Sequence, residues 1–519
     1  MRFNFVKQSL IGASIITTLA HLVGAFIGYF REAATASYFG TSVLLDVFVL
    51  AFTLPEVITS IIFSSIPTAL IPALNKVNPD NSEDDSRLFW GGLIYFAIPL
   101  VLISIIIYLL RGYILSGFDS NLSADYIVLG KRLIAISSFY IFFRGMEYYF
   151  RSWLYKKKHF IVPVLSNVAI SVVVIITLFI MYNKFNIESL AYGWLFGSIV
   201  LFICNGWAAL KVVKPHMRIT IYDPWFRLIF KSIVFISIIE TISMVYPVID
   251  RYLATQYLEP GYISALRYAM VIIVLPNRIF AIAFSTASFP WISDLSQNGD
   301  MIKLKSMYQD SVRMLFFIMG LVVIGVAVYA DQIVQLALQR GAFDENSLQI
   351  TAGPLRIYAL GIAFNAVYIY QMRLYYARME YKRLGLIKLI MLVVKIILSI
   401  ILVLDLKQNG LALATSLAWF VGFLIMSIDL NRRIGFSIKN LIFVDSYKIP
   451  LVLLATVLFF ISADKIWAVG NLQMEIFLKL VVLGVTGSAL YFGLAYMLKI
   501  PEPKKLVEIL AKRLRNQRA

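Results

Sequence analysis

The chain has 519 residues, of which 60% are hydrophobic and 15% are charged, and its net charge is +18. A soluble protein this apolar would have too few polar groups to cover its surface, so the composition predicts a membrane protein. One cysteine, three scattered histidines and the lack of HExxH, Walker and GxGxxG motifs leave a soluble hydrolase or kinase without support. We find no nucleophile–base pair and predict no enzyme activity and no metal site.

Apolar stretches long enough to cross a bilayer recur along the whole chain. We predict an all-α protein, because a backbone in lipid must satisfy its own hydrogen bonds and the alternation of a barrel is absent. The first stretch begins after a positively charged start and ends at Arg31 without a convincing cleavage site, which favours an uncleaved span over a signal peptide. About fourteen transmembrane helices are predicted near residues 9–30, 43–73, 88–110, 132–150, 160–181, 189–210, 232–250, 262–291, 308–329, 352–372, 384–404, 411–429, 449–464 and 475–498.

The basic residues lie mainly on one side of this arrangement. With the N-terminus inside, the cytoplasmic segments hold about 30 Lys and Arg residues and the opposite segments about 8. This asymmetry predicts a multi-pass membrane protein with both termini in the cytoplasm. The charge therefore serves topology and contact with anionic headgroups, not nucleic acid. The predicted cytoplasmic segments are 1–8, 75–87, 151–159, 211–231, 292–307, 373–383, 430–448 and 499–519.

An internal repeat is visible at an offset of about 220 residues. Residues 37–74 and 256–295 both run from an aromatic-rich loop through a long helix with a central Leu-Pro to a Ser-rich stretch and a proline. The repeat predicts two pseudo-symmetric six-helix lobes plus two C-terminal helices, and such repeats are typical of transporters with a binding site between them. The predicted domains are 1–215, 216–435 and 436–519.

Ionisable residues inside the predicted spans are costly in lipid and usually face a cavity or a partner. In the fourth span, Tyr140, Arg144, Glu147 and Arg151 fall on one helical face. One interpretation is a set of ion pairs that hold the bundle together, for example Arg144 with Glu147. The other is a wet, charged central cavity, and we favour this one for the set as a whole.

The same reasoning applies to the second and eighth spans. Arg267 and Arg278 are eleven residues apart, so they lie about 20° apart on a helix that we expect Pro276 to kink. On the second span, Asp46 and Ser60 lie about 40° apart around the helix, and Glu56 borders this face. Several arginines suit an anionic substrate, because guanidinium groups match phosphate bidentately and stay charged.

Three segments resemble the MurJ (MviN) family of the multidrug/oligosaccharidyl-lipid/polysaccharide exporter superfamily. They are GYFREAATASYFGTSVLLDVFVLAFTLPEVI at 28–58, YLEPGYISALRYAMVIIVLPNRIFAIAFSTASFP at 257–290 and HFIVPVLSNVAI at 159–170. The resemblance covers most of residues 10–430 and implies fourteen spans. It also implies a flippase of the bacterial inner membrane that moves lipid II, the peptidoglycan precursor linked to undecaprenyl pyrophosphate. From the two-lobe architecture we expect transport by alternating access, and we expect a monomer.

The family's functional residues carry over in part. Arg31 and Asp46 match family positions, whereas Ala25, Ser60 and Val271 stand where the family has arginines. This departure places the identity of the glycan in question more than the fold. We expect replacement arginines to supply the charge, so the candidate substrate-binding residues are Arg31, Asp46, Glu56, Arg144, Glu147, Arg267 and Arg278.

Coupling of transport to an ion gradient is a separate question. The family can carry a Na⁺ site on its seventh, eleventh and twelfth spans. Here the seventh span keeps Glu240, whereas the eleventh has no acid or amide and carries Lys395. We expect Lys395 to pair with Glu240 in place of an ion, the alternative being that Lys395 snorkels to an interface. No cofactor is predicted, and Na⁺ or proton coupling stays open.

Four functions remain in competition. The first is a lipid II flippase, and the second is a flippase for another lipid-linked unit of O-antigen or exopolysaccharide. The third is a cation-coupled multidrug exporter, and the fourth a membrane scaffold, which leaves the charges within the spans unexplained. The expected partners are a lipid-linked oligosaccharide and membrane lipids, with the prenyl tail in lipid or in a groove made by the last two spans.

Overall fold

The computed structural model describes residues 10–76, 82–118, 123–213, 224–435, 448–467 and 473–504. Every regular element within these ranges is helical, which confirms the all-α class. A six-residue π-helical turn, Asn277–Ile282, joins α9 to α10. The helices are α1 Leu10–Phe39, α2 Val43–Lys76, α3 Ser82–Leu109, α4 Arg111–Phe118, α5 Ala124–Lys156, α6 Ile161–Phe185, α7 Glu188–Val213, α8 Pro224–Tyr257, α9 Tyr262–Pro276, α10 Ala283–Gln297, α11 Met301–Val328, α12 Ala330–Leu338, α13 Glu345–Ala377, α14 Tyr381–Ile434, α15 Lys448–Ile466 and α16 Gln473–Met497.

Eleven of the described helices are long and apolar enough to cross a membrane, or twelve if the two limbs of α8, bent by 41°, form one span. Helix α14 contains both the eleventh and the twelfth predicted spans and breaks at Lys407, which has φ 51° and ψ −131°. Residues 395 and 411 would lie about 24 Å apart in a straight helix. The Lys395 ammonium nevertheless donates to the Leu411 carbonyl at 3.2 Å, so the two limbs of α14 lie side by side.

Contacts divide the described residues into two compact units. Unit 1 extends to Ser264 and includes Gly341–Phe343, and unit 2 holds the remainder. Helix α8, which the sequence repeat assigns to the second predicted lobe, counts with unit 1 because it packs along α2. The predicted division at residues 215 and 435 therefore follows the repeat and not the contacts, and it stays a prediction.

The three-residue segment Gly341–Phe343 belongs to unit 1 because its backbone contacts the end of α1. The Ala342 N–H donates to the Ser37 carbonyl at 2.8 Å. Gly341 has φ +59°, and a Cβ on it would lie 2.2 Å from the same carbonyl oxygen. Only a glycine allows this approach, since it has no side chain and tolerates positive φ.

The core of unit 1 is aromatic and its outer surface is apolar. Trp153, Tyr149 and Phe89 are completely buried between α3 and α5, and the Tyr149 hydroxyl donates to the Phe89 carbonyl at 2.6 Å. On α6, Phe179 and Ile180 are 76% and 70% exposed. Large apolar side chains exposed in this way fit a surface that faces lipid.

In unit 2, the last two helices pack on α11 and α12. The Tyr491 hydroxyl of α16 donates to the Phe317 carbonyl at 2.9 Å, and the Tyr329 hydroxyl donates to the Phe460 carbonyl of α15 at 3.0 Å. Beyond α16, Glu502 accepts from Arg313 Nε at 2.6 Å. These contacts fix α15 and α16 to unit 2, and the predicted groove for a prenyl tail beside them stays a prediction.

Glu380 joins the end of α13 to both ends of α14. Its Oε1 accepts from Arg433 Nη2 at 2.7 Å and from Arg378 Nε at 2.8 Å, and its Oε2 pairs with Arg433 Nη1. Hydrogen bonding to Arg433, reinforced by Arg378, lowers the pKa of the Glu380 carboxyl from 4.5 to about 2.

Because of this shift in pKa, the folding stability of the protein depends on pH in the acid range. The pKa of Glu380 is lower in the folded protein than in the unfolded chain. The ion pairs of Glu380 therefore contribute fully to folding stability above about pH 4.5, and this contribution is lost as the pH falls towards 2. We expect the melting temperature of the purified protein to fall across this window, and to fall less steeply in the Glu380→Gln variant. Identical acid profiles for the two proteins would contradict the assignment.

Candidate functional site

A charged network lies inside unit 1 around Glu147 of α5. This carboxylate is completely buried and accepts from Arg151 Nε at 2.7 Å and from Arg151 Nη2 at 2.5 Å. Arg144 Nη1 donates to its other oxygen at 2.9 Å. The predicted stripe on α5 is therefore a set of direct contacts, with two guanidinium groups on one carboxylate.

Neighbouring helices complete the surroundings of this network. Asn205 of α7 donates to Glu147 Oε1 at 3.3 Å and to the Ser166 hydroxyl at 2.8 Å. Asn167 of α6 accepts from Arg151 Nη2 at 3.0 Å. Asn205 was not predicted from the sequence, although an amide in the middle of an apolar span often marks a polar contact between helices.

Arg144 is the most exposed member of the network. Its side chain is 12% exposed, whereas those of Arg151 and Glu147 are 3% and 0% exposed. Its Nη2 donates to the Tyr148 hydroxyl at 2.6 Å, and the guanidinium carbon lies 4.6 Å from the centre of the Tyr148 ring. The contacts of its guanidinium group with Glu147 and Tyr148 thus hold Arg144 in one orientation.

Arg31 of α1 lies within the same unit and is linked to α5 through aromatic rings. Its guanidinium carbon lies 4.4 Å from the centre of the Trp194 ring, which makes an edge contact with Tyr140 at 6.1 Å. Arg31 also pairs with Glu32 at 2.6 Å and donates to the Ser171 hydroxyl at 3.3 Å. Trp194 was not foreseen from the sequence.

Asp46 accepts hydrogen bonds from partners that were not predicted from the sequence. Its Oδ2 accepts from the Gly261 N–H at 2.5 Å, and its Oδ1 accepts from the Ser264 N–H at 2.8 Å and the Ser264 hydroxyl at 2.5 Å. These donors lie at the start of α9, where backbone N–H groups have no partner within the helix. In this conformation Asp46 caps α9 and is buried, and its expected place among the substrate-binding residues stays a prediction.

Glu56 contacts an arginine that was not predicted from the sequence. Arg251 of α8 donates to Glu56 Oε2 at 2.9 Å and to the Thr53 hydroxyl at 2.9 Å. The Glu56 side chain is 61% exposed, whereas that of Arg251 is 12% exposed. Arg251 escaped selection because the seventh predicted span ended at residue 250, one position too early.

The eighth predicted span does not keep one continuous register. Pro276 ends α9, and the π-helical turn that follows contains Arg278. A π-turn inserts an extra residue, so the angle expected from eleven α-helical residues does not hold. Arg267 is half-buried and Arg278 is exposed. The π-helical turn stands where a simple kink was expected, and the shared face of the two arginines stays a prediction.

The coupling candidates occupy different surroundings. Lys395 is completely buried in unit 2, where its ammonium donates to the Thr415 hydroxyl at 2.6 Å and to the Leu411 carbonyl. It does not snorkel. Glu240 lies half-buried at the bend of α8, and the pairing of the two stays a prediction. Among the described residues, no group of three His, Cys, Asp or Glu side chains could hold a metal ion.

This arrangement of helices is found in solved membrane transporters. The lipid II flippase MurJ in an inward closed conformation matches with a TM-score of 0.79 at 25% identity, over 92% of this chain and 99% of that one. An inward-facing multidrug resistance MATE family transporter of the MOP superfamily matches with a TM-score of 0.65 at 15% identity, over 81% of this chain and 98% of that one. The fold is that of the MATE-like membrane transporters.

The sequence comparisons define the family within this class. The profile described as Lipid II flippase MurJ matches residues 35–478. A probable lipid II flippase MurJ of Borreliella burgdorferi is 23% identical over 471 residues, covering 88% of this chain and 91% of its own length. The chain belongs to the lipid II flippase MurJ family, which confirms the resemblance seen in the sequence.

Proposed function

We propose that this protein is a flippase that carries lipid II across the bacterial cytoplasmic membrane by alternating access. The observation that carries the proposal is the family match over residues 35–478 of a chain whose spans contain arginines. Transport by this route needs no covalent chemistry, and we propose that the chain acts as a monomer without a cofactor.

The charges within unit 1 support an anionic substrate. Arg144 and Arg151 share a single carboxylate, so this network has an excess of positive charge. Guanidinium groups recognise phosphate oxygens in pairs, and they stay charged where they are partly withdrawn from water. A carrier of cationic drugs would need the opposite balance, so we do not favour the exporter.

The second candidate is a flippase for another polyprenyl-linked glycan. It is favoured by the three positions at which arginines of the family are replaced, namely Ala25, Ser60 and Val271. Depletion of the protein in its host separates the two candidates. We expect lipid II to accumulate, whereas accumulation of a different lipid-linked oligosaccharide with unchanged lipid II would favour the second.

Orientation in the membrane gives a direct prediction. We expect the 151–159 and 373–383 loops and both termini to face the cytoplasm, because these segments are rich in Lys and Arg. In a Cys204→Ser background, a cysteine introduced at residue 157 should resist impermeant thiol reagents added from outside. A cysteine introduced at the exposed Lys184 is the matched control and should react. Reaction of residue 157 from outside would refute the orientation.

Coupling gives a further prediction. The buried Lys395 ammonium supplies a fixed positive charge in unit 2, and we propose that it stands in for a bound cation. Transport by the wild-type protein should then be the same in Na⁺ and in K⁺ buffers. A strict requirement for Na⁺ would overturn the proposal. The Lys395→Met variant, which keeps most of the side-chain volume, tests whether the charge itself is required.

A further inference from the structure

An apolar pocket opens in unit 1 between α4 and the helices α2 and α8. Its volume is about 370 Å³, and its lining includes Leu54 of α2, Ile114 and Phe118 of α4, and Val248 and Ile249 of α8. A buried water needs about two to four polar partners, which these side chains do not supply. Hydrocarbon is therefore a better occupant of the pocket than water.

The anchoring of α4 holds this pocket open. At the end of α4, the Thr255 hydroxyl and the Gln256 amide donate to the Phe118 carbonyl at 2.7 Å and 2.9 Å. On another side of α4, Leu115 packs closely on α5, since a Cβ on Gly130 would lie 2.6 Å from the leucine side chain. Because these contacts exist without a ligand, the pocket is formed before a ligand binds.

Two cations lie at the start of α4, close to the pocket. Arg111 is the first residue of α4, one turn before Ile114, and its Nη1 donates to the Tyr108 carbonyl at 2.6 Å. Lys131 of α5 reaches the same turn, since a Cβ on Gly112 would lie 3.6 Å from the lysine Cε. Neither cation has an ion-pair partner among the residues that the structure describes. The two cations are suited to an anionic head group beside an apolar pocket.

The pocket is continuous with a surface that faces lipid. Leu109 and Leu110, which lead from α3 into α4, are exposed, and so are Tyr113 and Tyr252, which line the pocket. Tyrosines are enriched where a membrane meets water, at the level of the lipid head groups. In the predicted orientation α4 lies on the extracytoplasmic side, so lipids of the outer leaflet reach the pocket.

We propose that the pocket between α2, α4 and α8 binds one acyl chain of an anionic phospholipid of the outer leaflet, and that Arg111 and Lys131 hold the phosphate of this lipid. The acyl chain fills an apolar space that would be costly to leave empty. The two cations give the site a preference for anionic head groups. The phospholipid is not the transported lipid, so its binding is independent of the proposed substrate.

The test compares phosphatidylglycerol, which is anionic, with phosphatidylethanolamine on the purified full-length protein. Phosphatidylglycerol should raise the melting temperature of the wild type more than phosphatidylethanolamine does. Gly117 of α4 lines the pocket, and a Cβ on it would meet no atom within 4 Å, so Gly117→Leu fills the space without a clash. This variant should bind phosphatidylglycerol about tenfold more weakly, because leucine takes the place of several methylene groups. Without added lipid it should melt no lower than the wild type, since leucine favours a helix more than glycine does.

Gly484→Leu on α16 is the matched control. Gly484 is exposed, and a Cβ on it would likewise meet no atom within 4 Å, but it lies in unit 2, away from the pocket. This variant should bind phosphatidylglycerol like the wild type. The double variant Arg111→Gln, Lys131→Gln should lose the preference for phosphatidylglycerol and keep the binding of phosphatidylethanolamine.

A phosphatidylglycerol with a photoreactive group in its acyl chain locates the site. In liposomes it should label residues 111–118 and 248–252 of the wild type, and Gly117→Leu should lose this labelling but keep that of the exposed Phe179 and Ile180 on α6. The site is refuted if Gly117→Leu binds phosphatidylglycerol as tightly as Gly484→Leu does, or if the wild type does not distinguish the two phospholipids. Labelling of residues 111–118 by a photoreactive polyprenyl phosphate in place of phosphatidylglycerol would also overturn it.

Discussion

Replacing Glu147 by glutamine is expected to be the most destabilising single change in the α5 network. The substitution leaves the Arg144 and Arg151 guanidinium groups close together inside a span with no carboxylate between them. Removing one partner of a buried ion pair costs about 3–5 kcal/mol, and here two like charges remain. We expect a large fall in melting temperature and a low yield of folded protein.

The double variant Glu147→Gln, Arg144→Gln provides the control. It removes one of the two stranded guanidinium groups, so it should be more stable than Glu147→Gln alone. This non-additive recovery is the mark of side chains in direct contact. A Glu147→Gln protein that melts with the wild type would show that the network does not carry its charges as described.

Replacing Asp46 by alanine is expected to have the second largest effect. The change removes the acceptor for two backbone N–H groups and one hydroxyl at the start of α9, all of them buried. Loss of a helix cap costs about 1–2 kcal/mol, and buried donors left without an acceptor add to this. We expect faster amide hydrogen exchange at residues 261–266 and a marked loss of transport.

Ser264→Ala is the milder matched variant. It removes the hydroxyl donor but leaves both N–H contacts to Asp46, so its exchange rates should fall between those of the wild type and Asp46→Ala. Unchanged exchange at residues 261–266 in the Asp46→Ala protein would contradict the capping role. Asp46 would then have to act elsewhere.

Helical periodicity was sufficient to predict side-chain contacts where the partners lie on one helix. Arg144, Glu147 and Arg151 are three and four residues apart, and this spacing alone places them in contact. The same pattern could not give the contribution of Trp194 or Asn205, because these side chains arrive from α7 through tertiary packing. The sequence therefore predicted the charged stripe but not the residues that orient it.

The other differences between the sequence predictions and the structure arise from local backbone changes, from contacts distant in sequence and from uncertain helix ends. The π-helical turn after Pro276 alters the register of Arg278 relative to Arg267, and periodicity assumes a uniform helix. Asp46 caps a helix that begins more than two hundred residues later, a contact that no local pattern contains. Arg251 was missed because the end of an apolar span is uncertain by a few residues.

Movement of lipid II between membrane leaflets by this chain is tested most directly in a reconstituted translocation assay. The purified protein is placed in liposomes that contain lipid II in both leaflets, and lipid II in the outer leaflet is measured with an impermeant modifying reagent. We predict that wild-type protein makes nearly all the lipid II accessible, whereas Arg144→Gln leaves the inner-leaflet fraction protected. The matched control is Arg132→Gln, which removes the same charge from a 67% exposed side chain on α5 and should behave like the wild type. Liposomes with wild-type protein that protect as much lipid II as protein-free liposomes, while translocating another polyprenyl-linked glycan or none, would contradict the account.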